Sequence, residues 1–225
     1  MEELEAKFFY FFSFIHVSPG IVVPWFLTGV FVAIVWLGTR NLSLVPSPLQ
    51  NVLEWVYESL ATFIGGIIGE KHADEFTPFF TTIFLYILCA NLAGVIPGLK
   101  SPTSLFPNCL TLALIIFFLT HYIGFKHHGI GYLKHFWGEP FWMGPLMLPI
   151  HIIGELARPM SLTFRLFGNI FGEDVVVIVL SVAIFPLLVP VPMLCLQIFT
   201  GLIQALVFTT LSCIYIKGAV GSDEH

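Results

Sequence analysis

Charge is what this sequence has least of. Only 10% of its 225 residues are Asp, Glu, Lys or Arg, against about 25% in an ordinary soluble domain. Too few charged side chains are available to cover a water-soluble globule. The nine Lys and Arg are scattered, so there is no basic patch for a nucleic-acid backbone. Four cysteines, Cys89, Cys109, Cys195 and Cys213, stand apart in apolar surroundings without a Cys-x-x-Cys pair. They read as small packing side chains rather than a disulfide framework or a thiolate metal site. Gly-x-Ser-x-Gly, His-Glu-x-x-His and paired intramembrane aspartates are all missing, which removes the usual grounds for an intramembrane enzyme. No stretch is long and polar enough for a soluble catalytic domain, and no cofactor or metal is expected. The opening Met1–Lys7 is acidic, whereas a secretory signal wants a basic lead.

What is present is apolar: 57% of residues are hydrophobic and the mean hydropathy is +0.92. In lipid every backbone polar group must be satisfied internally, which favours helices. The expected fold is a single-domain all-α integral membrane protein, with about five membrane-embedded helices plus one interfacial amphipathic helix. Residues 1–20 form an N-terminal segment whose aromatic run, Phe8 to Phe14, suits the interface. The first span is 21–38. Over 46–70, Leu49, Val52, Leu53, Val56, Leu60 and Phe63 recur at helical spacing, with Gln50, Glu54 and Glu58 on the wet side; this helix is expected to lie along the interface. Second and third spans follow at 76–96 and 108–125. A polar loop at 126–145 carries Trp137, Phe141 and Trp142 as interface anchors. His127, His128 and His135 in that loop are spaced loosely for a metal and read as solvated.

Residues 146–217 read as a long tilted helical hairpin. Its first arm, Leu146 to Phe185, would be about 60 Å long as one helix, twice the hydrocarbon core of about 30 Å. It must break, with Pro159 the natural place, or tilt steeply, or both. Pro186, Pro190 and Pro192 make the turn. Arg40, Lys71, Lys126, Lys134 and Lys217 fall on one side, and Lys7 and Lys100 on the other. The positive-inside bias then puts the N-terminus outside and the C-terminus in the cytoplasm.

Arg165 stands inside this first arm. An arginine at bilayer depth costs about 2.5–3.5 kcal/mol on insertion scales and cannot shed its charge. Arg165, Asn169 and Glu173 recur every four residues and share a helix face, with Asp174 about 100° away. Gln197, Thr200 and Gln204 form a second polar stripe on the last helix. Two such stripes can line an ion path or act as interhelical hydrogen-bond glue. Arg165 could also pair structurally with Glu155 or Glu173. Arg158, beside Pro159, reads as an anchor near the aqueous edge. His121 falls late in the third span, near the surface, and His151 could be buried.

The string from Arg158 to Asn169, Arg-Pro-Met-Ser-Leu-Thr-Phe-Arg-Leu-Phe-Gly-Asn, resembles the signature of the a subunit of bacterial F-type ATP synthases. Leu202-Ile203-Gln204-Ala205-Leu206-Val207-Phe208 is similar to that family's last-helix motif. Asn91-Leu92, Gly94, Ile96-Pro97, Pro102-Thr103, Asn108 and Thr111-Leu112-Ala113-Leu114 resemble its middle loop. The resemblance covers roughly Leu49 to Tyr215. It implies a membrane stator beside a rotating c-subunit ring in a bacterial inner membrane, with peripheral-stalk b subunits and other ATP synthase subunits as further partners. Arg165 would face the ring's carboxylate and keep two offset half-channels from short-circuiting. Asn169, Glu173, Asp174, Gln197 and Gln204 would mark the proton path. The carried ion is H⁺ or Na⁺, since the ring's binding residues belong to another chain. The sequence departs from the family at three places. Glu173-Asp174 stands where Gly-Glu is common, Gln197 stands where His or Glu is common, and no acid lies near Asn108. Without the resemblance, the competing reading is a stand-alone ion-coupled transporter or channel using Arg165 for an anionic substrate, although no internal repeat supports it.

Overall fold

The computed structural model describes residues 19–40, 47–96, 101–129, 144–183 and 190–220. All the regular structure among them is helical: α1 Pro19–Thr39, α2 Pro48–Ile68, α3 Glu70–Ala93, a 3-10 turn Pro102–Ser104, α4 Phe106–His128, α5 Gly144–Ala183 and α6 Pro190–Val220. Residues 73–93, 106–127 and 192–220 are each long and apolar enough to cross a membrane, and Val23–Thr39 is a shorter apolar helix. The aromatic run 8–14, Lys7, Lys100, Lys134, His135, the anchors Trp137, Phe141 and Trp142, and the turn proline Pro186 lie outside the described residues.

Local chemistry sets several boundaries. The Ser47 hydroxyl accepts from the Gln50 N–H at 3.3 Å, and Pro48 opens α2 where its missing donor costs nothing. Gly69, at φ 97°, closes α2 by donating to the Gly65 carbonyl at 2.9 Å and leads directly into α3. The 3-10 turn is tied by Asn108 Nδ2, which donates to the Pro102 carbonyl at 2.9 Å, and by Cys109 Sγ, 3.1 Å from the Thr103 carbonyl.

α6 is the central post, packing against α2, α3, α4 and α5. Ile64 of α2, Phe80 and Ile87 of α3, Ile116 of α4, Leu166 of α5 and Phe208 and Ile216 of α6 are fully buried around it. The outer faces are apolar too: Trp25 and Trp36 of α1, Phe118 and Tyr122 of α4, Ile153 of α5 and Phe199 of α6 are exposed, as helices bathed in lipid require. Of the α2 residues placed on the wet side by periodicity, Glu54 and Glu58 are exposed, while Gln50 is buried and donates to Glu54 at 2.7 Å. Leu60, from the apolar stripe, packs into the bundle together with Ile64 and Ile68.

α5 does not break at Pro159. It runs unbroken for 40 residues through both Pro149 and Pro159. The Thr163 hydroxyl donates to the Pro159 carbonyl at 2.7 Å, but the group the proline itself leaves without a donor is the Glu155 carbonyl, one turn back. Membrane helices tolerate such a gap where neighbouring packing supports the helix.

Candidate functional site

The site is built where α5 packs on α6. Leu162, Leu166 and Ile170 are buried along the inner face of α5, and this spacing turns the polar stripe sideways, along the seam and outward. Phe164 and Phe167, on either side of the Arg165 turn, meet Phe106 of α4 with ring centroids 5.7 Å apart. The turn that carries Arg165 is thereby fixed by aromatic packing.

Three pairs from the two stripes come together. Asn169 Nδ2 donates to Gln204 Oε1 at 3.0 Å. Gln197 Nε2 donates to Asp174 Oδ1 at 3.2 Å. Thr200 stands near Glu173 across the seam, its hydroxyl donating to its own helix at the Leu196 carbonyl at 2.9 Å. Gln197 and Gln204 are almost fully buried. Two atoms in the seam, Glu173 Oε2 and Gln204 Nε2, are buried without a partner among the described residues, so polar capacity is left over for a water or a passing ion. Asn169 and Glu173 also line a groove of about 380 Å³ with Gly168, Gly172, Val176, Val177, Met193 and Leu196. A Cβ at Gly168 or Gly172 would meet nothing within 4 Å, so the face next to Arg165 is open.

Arg165 itself is exposed and makes no hydrogen bond or ion pair among the described residues. The two structural partners considered for it are not used. Glu155 pairs with Arg158, at 2.9 Å from Oε1 and 3.1 Å from Oε2. Glu173, two turns away along the helix, reaches no cation among the described residues. Arg158, expected as an anchor near the aqueous edge, is tied to the bundle: its guanidinium carbon lies 5.1 Å from the Tyr215 ring centroid on α6, a cation–π contact. His121 on α4 sets Nδ1 2.9 Å from the Phe117 carbonyl. Among the described residues no three His, Cys, Asp or Glu side chains stand together as metal ligands would.

One polar network was not assembled from the sequence. Asn91 of α3 is fully buried; its Nδ2 donates to the Gly201 carbonyl of α6 at 3.0 Å, and its Oδ1 accepts from the Thr103 hydroxyl at 2.7 Å. The Ser101 hydroxyl donates to the Ala90 carbonyl at 2.8 Å. Glycine makes the approach possible: a Cβ at Gly201 would come within 3.1 Å of Asn91 Cβ. At Gly94 a Cβ would stand 2.9 Å from Gln197 Nε2. The network and the Asp174–Gln197 pair are therefore neighbours. The signal was an asparagine in an apolar span and glycines at close spacing, but nothing in the sequence said that they meet.

Residues 21–217 match the family described as ATP synthase A chain. The chain is 40% identical over 210 residues to ATP synthase subunit a of Desulfosudis oleivorans, covering 93% of this chain and 91% of that one. It is 42% identical over 206 residues to ATP synthase subunit a 1 of Syntrophotalea carbinolica (92% and 86% covered). It is also 42% identical over 204 residues to the subunit a of Solidesulfovibrio magneticus (91% and 85%). The matches span both helices of the polar seam, and the chain belongs to the ATP synthase A chain family.

Proposed function

We propose that this chain conducts protons through the membrane sector of a rotary ATP synthase, with Arg165 as the fixed charge facing the carboxylate of a rotating c-subunit ring. The observation that carries this reading is a guanidinium exposed on an open face, with Glu155 already committed to Arg158 and Glu173 reaching no cation among the described residues. A permanent cation favours the ionised form of an acid that passes it. The acid arrives protonated through lipid, loses its proton to an exit half-channel near the arginine, passes in its ionised form, and is reprotonated from an entrance half-channel before returning to lipid. The transmembrane potential contributes about 2.3 kcal/mol per charge for each 100 mV crossed.

The seam supplies the entrance. Asp174 and Glu173 are its ionisable groups, and Asn169, Gln197 and Gln204 hold them and bridging water in line. Gln197 cannot titrate, so protons pass it by way of water or Asp174. Gly168 and Gly172 leave room for a ring helix to approach closely. The chain sits in a bacterial inner membrane, N-terminus outside and C-terminus cytoplasmic, against the ring, peripheral-stalk b subunits and the other subunits of the complex. Arg165→Ala is expected to abolish ATP-driven acidification of inverted membrane vesicles. Pumping at the wild-type rate would reject the assignment.

A further inference from the structure

Two arginines share one face of α5, and among the described residues only one of them is neutralised. Arg158 and Arg165 lie seven positions apart, which is about 20° short of two full turns and about 10 Å along the axis. Both are exposed. Arg158 is held by Glu155 at 2.9 Å and laid over Tyr215 at 5.1 Å. The position three before Arg165, which for Arg158 is Glu155, is the buried Leu162, and Arg165 stays unpaired among the described residues. The Glu155 side chain is only 18% exposed, so the pair is screened less than a surface ion pair.

Resting on the reading of Arg165 above, we propose that Glu155 masks Arg158, so that the moving acid of the partner meets one unpaired cation on this face and not two. A second bare guanidinium two turns away would hold the passing carboxylate at the wrong depth and slow its release. Tyr215 alone would keep Arg158 against α6; the acid adds neutralisation, which a packing contact does not supply. Glu155 therefore acts through Arg158, as a positioning residue for an ion it never touches.

The test is ATP-driven acidification of inverted vesicles, normalised to the amount of chain assembled in the complex, for Glu155→Gln, Arg158→Gln and the double variant. Glu155→Gln is expected to pump on the order of tenfold more slowly per complex, the scale of a bare unit charge about 10 Å away at an effective dielectric of about 20. Arg158→Gln and the double variant are expected to stay within about twofold of wild type, because the charge to be masked is gone. A double variant as slow as Glu155→Gln overturns the proposal. So does a Glu155→Gln defect that disappears on normalisation, since the pair would then serve assembly alone. Arg165→Ala in the same assay separates the two levels. If it still pumps, the stator reading fails; if it is dead while Glu155→Gln pumps at the wild-type rate, only the masking role fails.

Discussion

Asn91→Asp changes one atom and is expected to unsettle the seam from a distance. In the wild type, Nδ2 is a donor facing the Gly201 carbonyl at 3.0 Å, at a fully buried position. The substitution puts a second acceptor there. The native arrangement survives only if the new carboxyl is protonated, so that its O–H can donate to Gly201 while the other oxygen still accepts from Thr103. Protonating a carboxyl of ordinary pKa about 3.9 costs about 4 kcal/mol at pH 7, and about 1.5 kcal/mol at pH 5, at 1.36 kcal/mol per unit. The sign follows from linkage: the folded state holds a proton that the unfolded state releases, so the relative stability of the variant rises as pH falls. Cys109 and Cys213 are fully buried and Cys195 is exposed. Thermal unfolding of the purified membrane sector can therefore be followed by thiol labelling, with Cys195 as baseline. The variant should be destabilised by about 4 kcal/mol at pH 7, with most of the deficit recovered at pH 5. A variant as stable as wild type at pH 7, or equally destabilised at both pH values, would refute the network's role as a clamp between α3 and α6.

Gly94→Ala places a Cβ 2.9 Å from Gln197 Nε2 and 3.1 Å from Ser101 Cβ. The amide can swing away but Ser101 must shift with its backbone, so stability should fall by about 1 kcal/mol, while pumping per assembled complex drops because the amide is pushed off Asp174; unchanged pumping would show that the Gln197–Asp174 bond is idle. Asp174→Asn is expected to slow translocation more than Gln197→Ala, although both disturb the same 3.2 Å bond, because only the first removes an ionisable group; the reverse order in vesicle acidification moves the entrance path elsewhere.

Helical class and membrane character were legible from composition and from uninterrupted apolar runs. Each span must be long, apolar and internally hydrogen-bonded, and all three properties are written locally. The part of α2 that packs on the bundle was not. Apolar residues surround most of the helix, and the choice of Leu60, Ile64 and Ile68 for the interior is made by α3 and α6, not by periodicity. Pro159 misled for a related reason: a proline removes one intrahelical donor and crowds the preceding turn, but it does not by itself dictate a break, and here the helix runs on through it. Within the site, spacing alone put Arg165, Asn169 and Glu173 on one face, and Gln197, Thr200 and Gln204 on another. What spacing could not supply was register. Whether Asn169 meets Gln204 or Gln197 depends on how α5 slides along α6, and spacing within either helix does not encode that offset. The pairing of Glu155 with Arg158 was likewise open, because an acid three residues from one arginine and ten from another can be assigned only by side-chain geometry.

The most direct measurement is a density map of the assembled membrane sector at a resolution that fixes the Arg165 side chain. The account predicts its guanidinium on the open face beside Gly168 and Gly172, within about 4 Å of a carboxylate contributed by the neighbouring ring, with no acid of its own chain in reach. A guanidinium paired with Glu173, or turned into headgroup water, would contradict it.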